Sequence, residues 1–178
     1  MILLVDKLLN KFIQMYRKRI FLKRIQSNED SVNVLGVVYV NASNIKIGKN
    51  VTIYPDVYFW GEGLIEIGDN VDIGKGTIIF AKSKVIIGNN TLIAGQCYII
   101  DCNHGTSIDM LIQEQDLEFD DCGIRIGSDV WIAAGCKIVK GALINDGAVV
   151  GALSLVNSEI MKYGIAVGTP AKVVKFRK

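Results

Sequence analysis

The sequence predicts an all-β solenoid, in which short strands and turns coil around one continuous core. Half of the 178 residues are hydrophobic, which is enough for one domain to bury a sizeable core. Four segments align with one another, and within them an aliphatic residue returns every six positions. This period differs from the 3.6 of a helix and from the 2 of a simple strand, and it fits a short strand followed by a turn.

The aligned segments set the length of each coil. They read NIKIGKNVTI from Asn44, LIEIGDNVDI from Leu64, KVIIGNNTLI from Lys84 and GIRIGSDVWI from Gly123. Three six-residue units return the chain to its start, and stacking then places like residues on one another, which builds a core that no single repeat could bury. Residues 60–63 and 81–84 carry extra positions, which we expect to bulge at a corner.

Residues 1–30 precede the repeat domain of residues 31–178 and predict an amphipathic helix with a connector. The apolar side chains at helical spacing are Val5, Leu8, Leu9, Phe12, Ile13, Tyr16 and Ile20, and the polar ones opposite are Lys7, Lys11, Gln14 and Lys18. Residues 1–26 carry seven basic side chains and one acidic side chain. Two roles stay open for this helix: a cap on the exposed edge of the first coil, or a peripheral contact with an anionic membrane.

The single histidine of the chain, His104, stands where the regular repeat stops. Residues 105–123 follow it before the fourth aligned segment begins, so we expect a loop that protrudes from the solenoid. The loop is acidic, with Asp109, Glu114, Asp116, Glu118, Asp120 and Asp121. It either reaches a neighbouring solenoid and shapes an acceptor site, or it is a disordered surface loop.

Charge and cysteine content exclude several classes of function. Outside residues 1–26 there are 17 acidic and 13 basic side chains, so this part is not expected to bind nucleic acid. The cysteines, at 97, 102, 122 and 136, match no common zinc or redox spacing, and one histidine cannot complete a histidine-rich cage, so no metal is predicted. We find neither a bilayer-spanning run nor a signal-peptide pattern, and therefore expect a cytoplasmic protein.

The hexads resemble those of the left-handed parallel β-helix of the hexapeptide-repeat acyltransferase superfamily. Three further segments resemble its galactoside, maltose and capsular or lipopolysaccharide O-acetyltransferases: IAGQCYIIDCNHG, SDVWIAAGCKIVKGALINDGAVVGALSLV and VGTPAKVV. The resemblance covers the chain from about Ile45 onward. It implies acetyl-CoA as co-substrate and a homotrimer with active sites between adjacent subunits. The gamma-class carbonic anhydrases of the same fold need three histidines, which argues against that activity here.

The resemblance also implies that His104 is the catalytic general base. An alcohol is a poor nucleophile until its proton is being removed, and imidazole, with a pKa of about 6.5, suits that task at neutral pH. Transfer would run directly from acetyl-CoA to the acceptor. Asp101 is predicted to orient the imidazole as the second catalytic residue, and Asn103 either shares that part or binds the sugar. Because side chains alternate along an extended run, at most one of Asn103 and His104 points into a given cleft.

Five positions match the coenzyme site of the family. Trp131 is expected to pack against the pantetheine arm, and the alternative is a trimer contact without a ligand. The backbone amides of Ala134 and Ala152 match positions that hydrogen-bond the pantetheine, while Lys172 and Lys175 match cationic positions near the CoA phosphates.

The acceptor site departs from the family pattern. Gly74 stands where the galactoside type has an acceptor-binding asparagine, so it marks the candidate substrate position but not the substrate. We expect an O-acetyltransferase that modifies a saccharide or sugar nucleotide in surface polysaccharide biosynthesis. Two alternatives stay open: an N-acetyltransferase of an amino sugar nucleotide, and a non-catalytic β-helix scaffold.

Overall fold

The repeat domain is a parallel β-helix of about seven coils, which confirms the predicted fold class. The structure is a computed structural model that describes residues 2–178, with side chains from residue 8 onward. The side chains of Val5 and Lys7, which contribute to the predicted amphipathic pattern, lie outside the described ones. Each coil contributes one strand to each of three faces, so that like positions stack along the molecule.

The strands of each face pair in parallel, coil upon coil. The first face contains β1 (Asn33–Val34), β3 (Thr52–Ile53), β5 (Asp72–Ile73), β8 (Leu92–Ile93), β13 (Trp131–Ile132), β16 (Val149–Val150) and β19 (Gly164–Gly168). The second contains the first halves of β2 (Val38–Ile47) and β4 (Val57–Ile67), then β6 (Ile78–Phe80), β9 (Tyr98–Ile100), β14 (Lys137–Ile138) and β17 (Leu155–Val156). The third contains the second halves of β2 and β4, then β7 (Lys84–Ile87), β12 (Ile124–Ile126), β15 (Leu143–Ile144) and β18 (Glu159–Ile160).

The corner between the second and third faces differs from the other two. Here β2 and β4 run through the corner without a break, and residues 60–63 and 81–84 lie at it. Gly61 has a φ of 110°, and a Cβ at this position would meet the backbone of Ala81. The extra residues of the longer coils are therefore accommodated at a corner where Gly61 lets two coils approach closely.

The core is a stack of aliphatic side chains from successive coils. On the first face Ile53, Ile73, Ile93 and Ile132 are almost fully buried and lie in register. Burying a side chain of this size contributes about 1.5–3 kcal/mol. Smaller inward positions hold Val51, Val71, Thr91 and Val130 at one corner, and Cys97 and Cys136 at the next.

The amino-terminal helix α1 (Ile2–Arg24) packs on the solenoid near its carboxyl end. Phe21 and Leu22 are buried against the first coils, and the rings of Phe21 and Phe59 lie 6.0 Å apart. The predicted apolar stripe does not make this contact, since Leu8 and Phe12 are about three-fifths exposed. The cap therefore rests on two residues outside the stripe. In the part of the chain that the structure describes, no helix has the length and apolar character needed to cross a membrane.

The predicted protruding loop is an ordered arm. It leaves the fourth coil after β9, and β10 (Cys102–His104) pairs antiparallel with β11 (Leu117–Phe119). Between them runs a short 3-10 turn, Ile112–Glu114. The side chain of Gln115 binds across the turn, accepting from the Ser107 amide at 2.8 Å and donating to the Ser107 carbonyl at 2.9 Å.

The carboxyl-terminal segment folds back over the last coil. After β19, the strand β20 (Ala171–Phe176) returns antiparallel to it and covers the open edge of the first face. Arg177 then donates to the carboxylate of Asp129 at 2.8 Å. The two ends of the solenoid are thus closed by different devices, a helix at one and an antiparallel strand at the other.

Candidate active site

A groove follows the edge between the first and second faces. Trp131, on the outer side of β13, is 52% exposed and stacks in register between Leu92 and Val149. Beside it the groove has a volume of about 360 Å³ and is also lined by Asp72 and Gly74. An adjoining groove of about 300 Å³, lined by Gln96 and Ala134 among others, continues along the same corner.

Hydrogen bonding of the backbone differs between two corners of the coil. At the corner after the third face, the amides of Lys49, Asp69, Asn89 and Ser128 donate to the side chains of Asp69, Asn89, Ser128 and Asp146 in the next coil, over 2.7–3.1 Å. At the corner after the first face, the equivalent positions are Lys75, Gly95, Ala134 and Ala152, whose side chains carry no acceptor. Within residues 2–178 none of these four amides donates a hydrogen bond.

This row of unpaired amides, at residues 75, 95, 134 and 152, is here named the amide ladder. Adjacent rungs lie one coil apart, or about 4.8 Å. Unpaired backbone amides are strong donors that favour a ligand or water as acceptor. The ladder includes Ala134 and Ala152, the two positions that the family resemblance selects. It adds Lys75 and Gly95, which were not predicted from the sequence. The signal was present, because each residue of the ladder follows the Gly or Ala of its hexad and has no side-chain acceptor.

The predicted cationic positions lie on the same sheet as Trp131. Lys172 and Lys175 are exposed on β20, opposite Val167 and Ile165 of β19. From β13 to β20 there are three strand steps, which corresponds to about 14 Å. The edge therefore presents an aromatic side chain and unpaired amides at one level and two lysines farther along.

His104 lies on a different edge of the prism. Its strand β10 leaves the corner between the second and third faces, and the side chain is exposed opposite Leu117 of β11. Neither groove along the amide ladder has His104 in its lining. Asn103 is also exposed, and it pairs with Glu118 on the same ribbon. One chain thus carries the predicted base and the predicted coenzyme positions at two separate edges.

Asp101 does not occupy the position that the sequence analysis expected. Its side chain is fully buried, and its carboxylate accepts from the amides of Lys82 at 2.7 Å, Ser83 at 2.8 Å and Lys84 at 2.7 Å. One coil earlier, the amide of Leu64, which corresponds to that of Lys84, donates to the backbone carbonyl of Ser83 in the third coil. The fourth coil leaves the solenoid at this point to form the arm and offers no such carbonyl to the third coil, so the carboxylate of Asp101 accepts these hydrogen bonds instead. It anchors the base of the arm and does not bind the imidazole.

The cysteines near His104 are structural. Cys97 and Cys102 are buried, and the thiol of Cys97 donates to the carbonyl of Ala133 at 3.3 Å. A hydrogen bond with Cys136, together with burial, raises the pKa of Cys97, and burial raises the pKa of Cys102. Both effects disfavour the thiolate that a covalent route would need. Among the described residues no cluster of three histidine, cysteine or acidic side chains is placed to hold a metal ion.

Gly74 lies at the floor of the groove beside Trp131. A Cβ at this position would collide with the backbone of Ala94 and Gly95 in the next coil. The backbone at Gly74 therefore lies closer to the next coil than a side chain would allow, whereas the two following coils carry alanine, Ala94 and Ala133, at the same position. The structure places this candidate substrate position next to the amide ladder.

Comparison with known proteins identifies the family. WbbJ of Escherichia coli K12, which is named as a lipopolysaccharide biosynthesis O-acetyl transferase, is 32% identical over 143 residues, or 76% of this chain and 73% of WbbJ. The chain belongs to the hexapeptide-repeat acyltransferases. Within this superfamily, Rv3034c of Mycobacterium tuberculosis, named as an acetyltransferase, is 37% identical over 117 residues. That alignment takes in 66% of this chain and only 39% of the relative. No family model matches the chain.

A solved N-acyltransferase shares the fold. The N-acyltransferase AntD from Bacillus cereus, in complex with dTDP and 3-hydroxybutyryl-CoA, superimposes with a TM-score of 0.77 at 20% identity. The match covers 90% of this chain and 88% of AntD. The predicted resemblance to this acyltransferase superfamily is therefore confirmed by sequence and by architecture.

Proposed function

We propose that this hexapeptide-repeat acyltransferase transfers an acetyl group from acetyl-CoA to a hydroxyl of a saccharide, in surface polysaccharide biosynthesis. The observation that carries the proposal is the amide ladder beside Trp131, with Lys172 and Lys175 farther along the same edge. Four unpaired amides have no role in the solenoid itself, because the other corner shows how this fold satisfies them. They fit a ligand that lies along the edge and offers carbonyl oxygens.

The pantetheine arm of acetyl-CoA has that shape and chemistry. It is extended and carries two amide groups, whose oxygens can accept from the amides of Ala134 and Ala152. Its methylene groups can pack against the exposed indole of Trp131. The lysines at about 14 Å along the sheet can pair with the phosphates at the other end of the coenzyme. Solved relatives with the same fold are in complex with CoA or acetyl-CoA, which supports this assignment.

In the proposed reaction His104 is the general base. Its imidazole takes the proton of the acceptor hydroxyl while the oxygen attacks the thioester carbonyl, and the carbon–sulfur bond then breaks. The proton passes to the leaving thiolate of coenzyme A, so no acyl-enzyme is formed. The exposed position of His104 on the arm allows an acceptor to approach it, and the raised pKa values of Cys97 and Cys102 argue against a covalent alternative.

The active site requires two copies of the chain. The amide ladder and the arm lie at the two edges that border the second face. In a three-fold ring with this face toward the axis, the ladder edge of one copy meets the arm edge of the next. The face suits such a contact because most of its outward side chains are aromatic or aliphatic, with the Tyr39 and Tyr58 rings stacked at 4.2 Å and Trp60 edge-on to Phe80 at 5.4 Å. Asn41 and Lys137 are the polar exceptions, and the Lys137 ammonium lies over the ring of Tyr98. We therefore propose a homotrimer with shared sites.

An amino sugar nucleotide is the second candidate acceptor. A variant of AntD, the structural relative, is in complex with dTDP-4-amino-4,6-dideoxyglucose and coenzyme A. An amine needs less help from a base than a hydroxyl does, so the two acceptors predict different dependence on His104. We favour the hydroxyl because WbbJ, named as an O-acetyl transferase, is matched over most of both chains.

The decisive experiment is a thiol-release assay with acetyl-CoA and a panel of saccharides, nucleotide sugars and amino sugar nucleotides. With a hydroxyl acceptor, His104→Ala should lower kcat by a factor of about 10² to 10⁴, the usual contribution of a general base. Thr106→Ala, an exposed neighbour on the same arm, is the matched control and should retain activity.

Two results would contradict the proposal. Full turnover by His104→Ala would remove the base assignment, and failure to bind CoA at millimolar concentration in calorimetry would remove the activity. If the parent used only amine acceptors and His104→Ala lowered its kcat with them by much less than 10²-fold, the result would favour the N-acetyltransferase.

A further inference from the structure

The helix α1 exposes an apolar stripe that the solenoid does not use. Leu8, Leu9, Phe12, Tyr16 and Ile20 are between 40% and 62% exposed. Phe12 follows Leu8 and Leu9 by four and three positions, and Tyr16 and Ile20 follow at further steps of four, so the five side chains share one side of the helix. This stripe would be costly to leave in water, and large exposed apolar patches mark interaction sites.

The contact that holds the helix leaves the stripe open. Phe21, which is buried on the solenoid, follows Phe12 by nine residues, or about two and a half helical turns. The two side chains are thus on opposite sides of the helix. The base of α1 is attached by Phe21 and Leu22, and the side chains of Leu8, Phe12 and Tyr16 stay exposed because they lie a turn or more before that contact.

Charge identifies the partner of the stripe. Between Leu8 and Arg24 the helix carries Lys11, Arg17, Lys18, Arg19, Lys23 and Arg24, and the one acidic residue of the helix sequence, Asp6, precedes this part. Arg17, Lys18 and Arg24 lie outside the arc of the stripe, on the polar side. Arg19 and Lys23 fall within that arc at its carboxyl-terminal end, where long side chains can reach past apolar surface to a charged layer. An apolar segment from Leu8 to Tyr16 that is followed by cations fits the boundary between acyl chains and anionic headgroups.

We propose that α1 docks the enzyme on an anionic lipid surface, with the stripe of Leu8, Phe12 and Tyr16 in the acyl boundary and its basic residues among the headgroups. The function is separate from acetyl transfer, since neither edge of the active site includes the helix.

The test is co-sedimentation of the full chain with vesicles. Partition should be strong on vesicles of phosphatidylcholine with phosphatidylglycerol, weak on phosphatidylcholine alone, and reduced by salt. Lys11→Gln and Lys23→Gln should each weaken binding about fivefold. The pair Leu8→Ser with Phe12→Ser should weaken it at least tenfold, because both substitutions remove apolar surface from the acyl boundary.

The matched control is Ile108→Ser, which removes an apolar side chain that is 99% exposed on the arm. It should bind vesicles like the parent. The Leu8 and Phe12 variants should keep the parent kcat toward a water-soluble acceptor, so a failure of docking is distinguishable from a failure of catalysis. Equal partition of parent and double variant would overturn the proposal. So would a fall in sedimentation mass of the double variant, because the stripe would then join copies of the chain.

Discussion

At the scale of single residues, the difference between His104 and Asp101 shows what a pattern in sequence can reveal. His104 stands out in the sequence because it is the only histidine and occurs at the break in the repeat, and its role as base is a proposal. Asp101, three residues earlier, carries the same chemical signal for a catalytic role. Its carboxylate is instead bound by three amides of the coil below, and such stacking partners, about 18 residues away in sequence, are not visible in a local motif.

Asp101→Asn should loosen the arm and thereby slow catalysis. The asparagine side chain presents an amide N–H to at least one of the three buried donors, and an unsatisfied buried donor costs about 1–3 kcal/mol. We expect a lower free energy of unfolding in urea and a reduced kcat, with the KM for acetyl-CoA unchanged because the amide ladder is at another edge.

Asp109→Asn is the control for the charge change, since Asp109 is exposed at the tip of the arm. It should match the parent in both measurements. An Asp101→Asn enzyme with parental stability and parental kcat would show that the carboxylate does not position the arm.

At the scale of elements, the amide ladder is made by a corner whose side chains cannot accept hydrogen bonds. The polar corner uses Asp69, Asn89, Ser128 and Asp146 to satisfy the equivalent amides. Both corners follow the same hexad, so their difference was present in the sequence. To interpret this difference one must know which side chain accepts a hydrogen bond from which backbone amide of the neighbouring coil, and only the structure shows that.

Ala152→Asn should convert one rung of the open corner into the capped kind. By analogy with Asp69, which accepts from Lys49 one coil earlier, the introduced side-chain carbonyl would accept from the amide of Ala134. The loss of one ligand hydrogen bond, about 0.5–1.5 kcal/mol, should raise the Kd for CoA about three- to tenfold in calorimetry. Ala152→Leu, which adds a side chain of similar size but without an acceptor, should weaken CoA binding less. If the two variants bound CoA equally, the capping explanation would fail.

At the scale of the whole molecule, the sequence predicted the coil more completely than the site. Six-residue periodicity determines the core, the faces and the corners, because every coil repeats the same packing. The site depends on features that occur once: the departure of the arm, the attachment of α1 through Phe21 and Leu22, and the placement of two half-sites on two edges. None of these features is periodic. The apolar stripe of the helix was one candidate for capping the first coil, but Phe21 and Leu22, which lie outside the stripe, make that contact.

A shared active site predicts that two inactive chains restore activity when mixed. His104→Ala lacks the base at one edge, and Trp131→Glu places a negative charge in the coenzyme groove at the other. Both side chains are exposed, so both variants should fold. Co-refolded in equal amounts, they should regain about a quarter of the parent activity, because one interface in four then joins two intact edges.

The chain that carries both substitutions, co-refolded with itself, is the control and should stay inactive. If the mixture of single variants were also inactive while sedimentation showed mixed trimers, each site would lie within one chain. The proposed arrangement of subunits would then be wrong.

If the amide ladder binds the acyl donor as proposed, the unpaired amides also have an evolutionary consequence. A binding surface made of main chain is inherited together with the coil, and most side-chain replacements leave it in place. Alanine scanning would overlook it, since Ala134 and Ala152 are already alanine. Such a surface is lost through gain of a polar side chain and seldom through loss of one, so descendants can diversify the arm, and with it the acceptor, while keeping the same acyl donor.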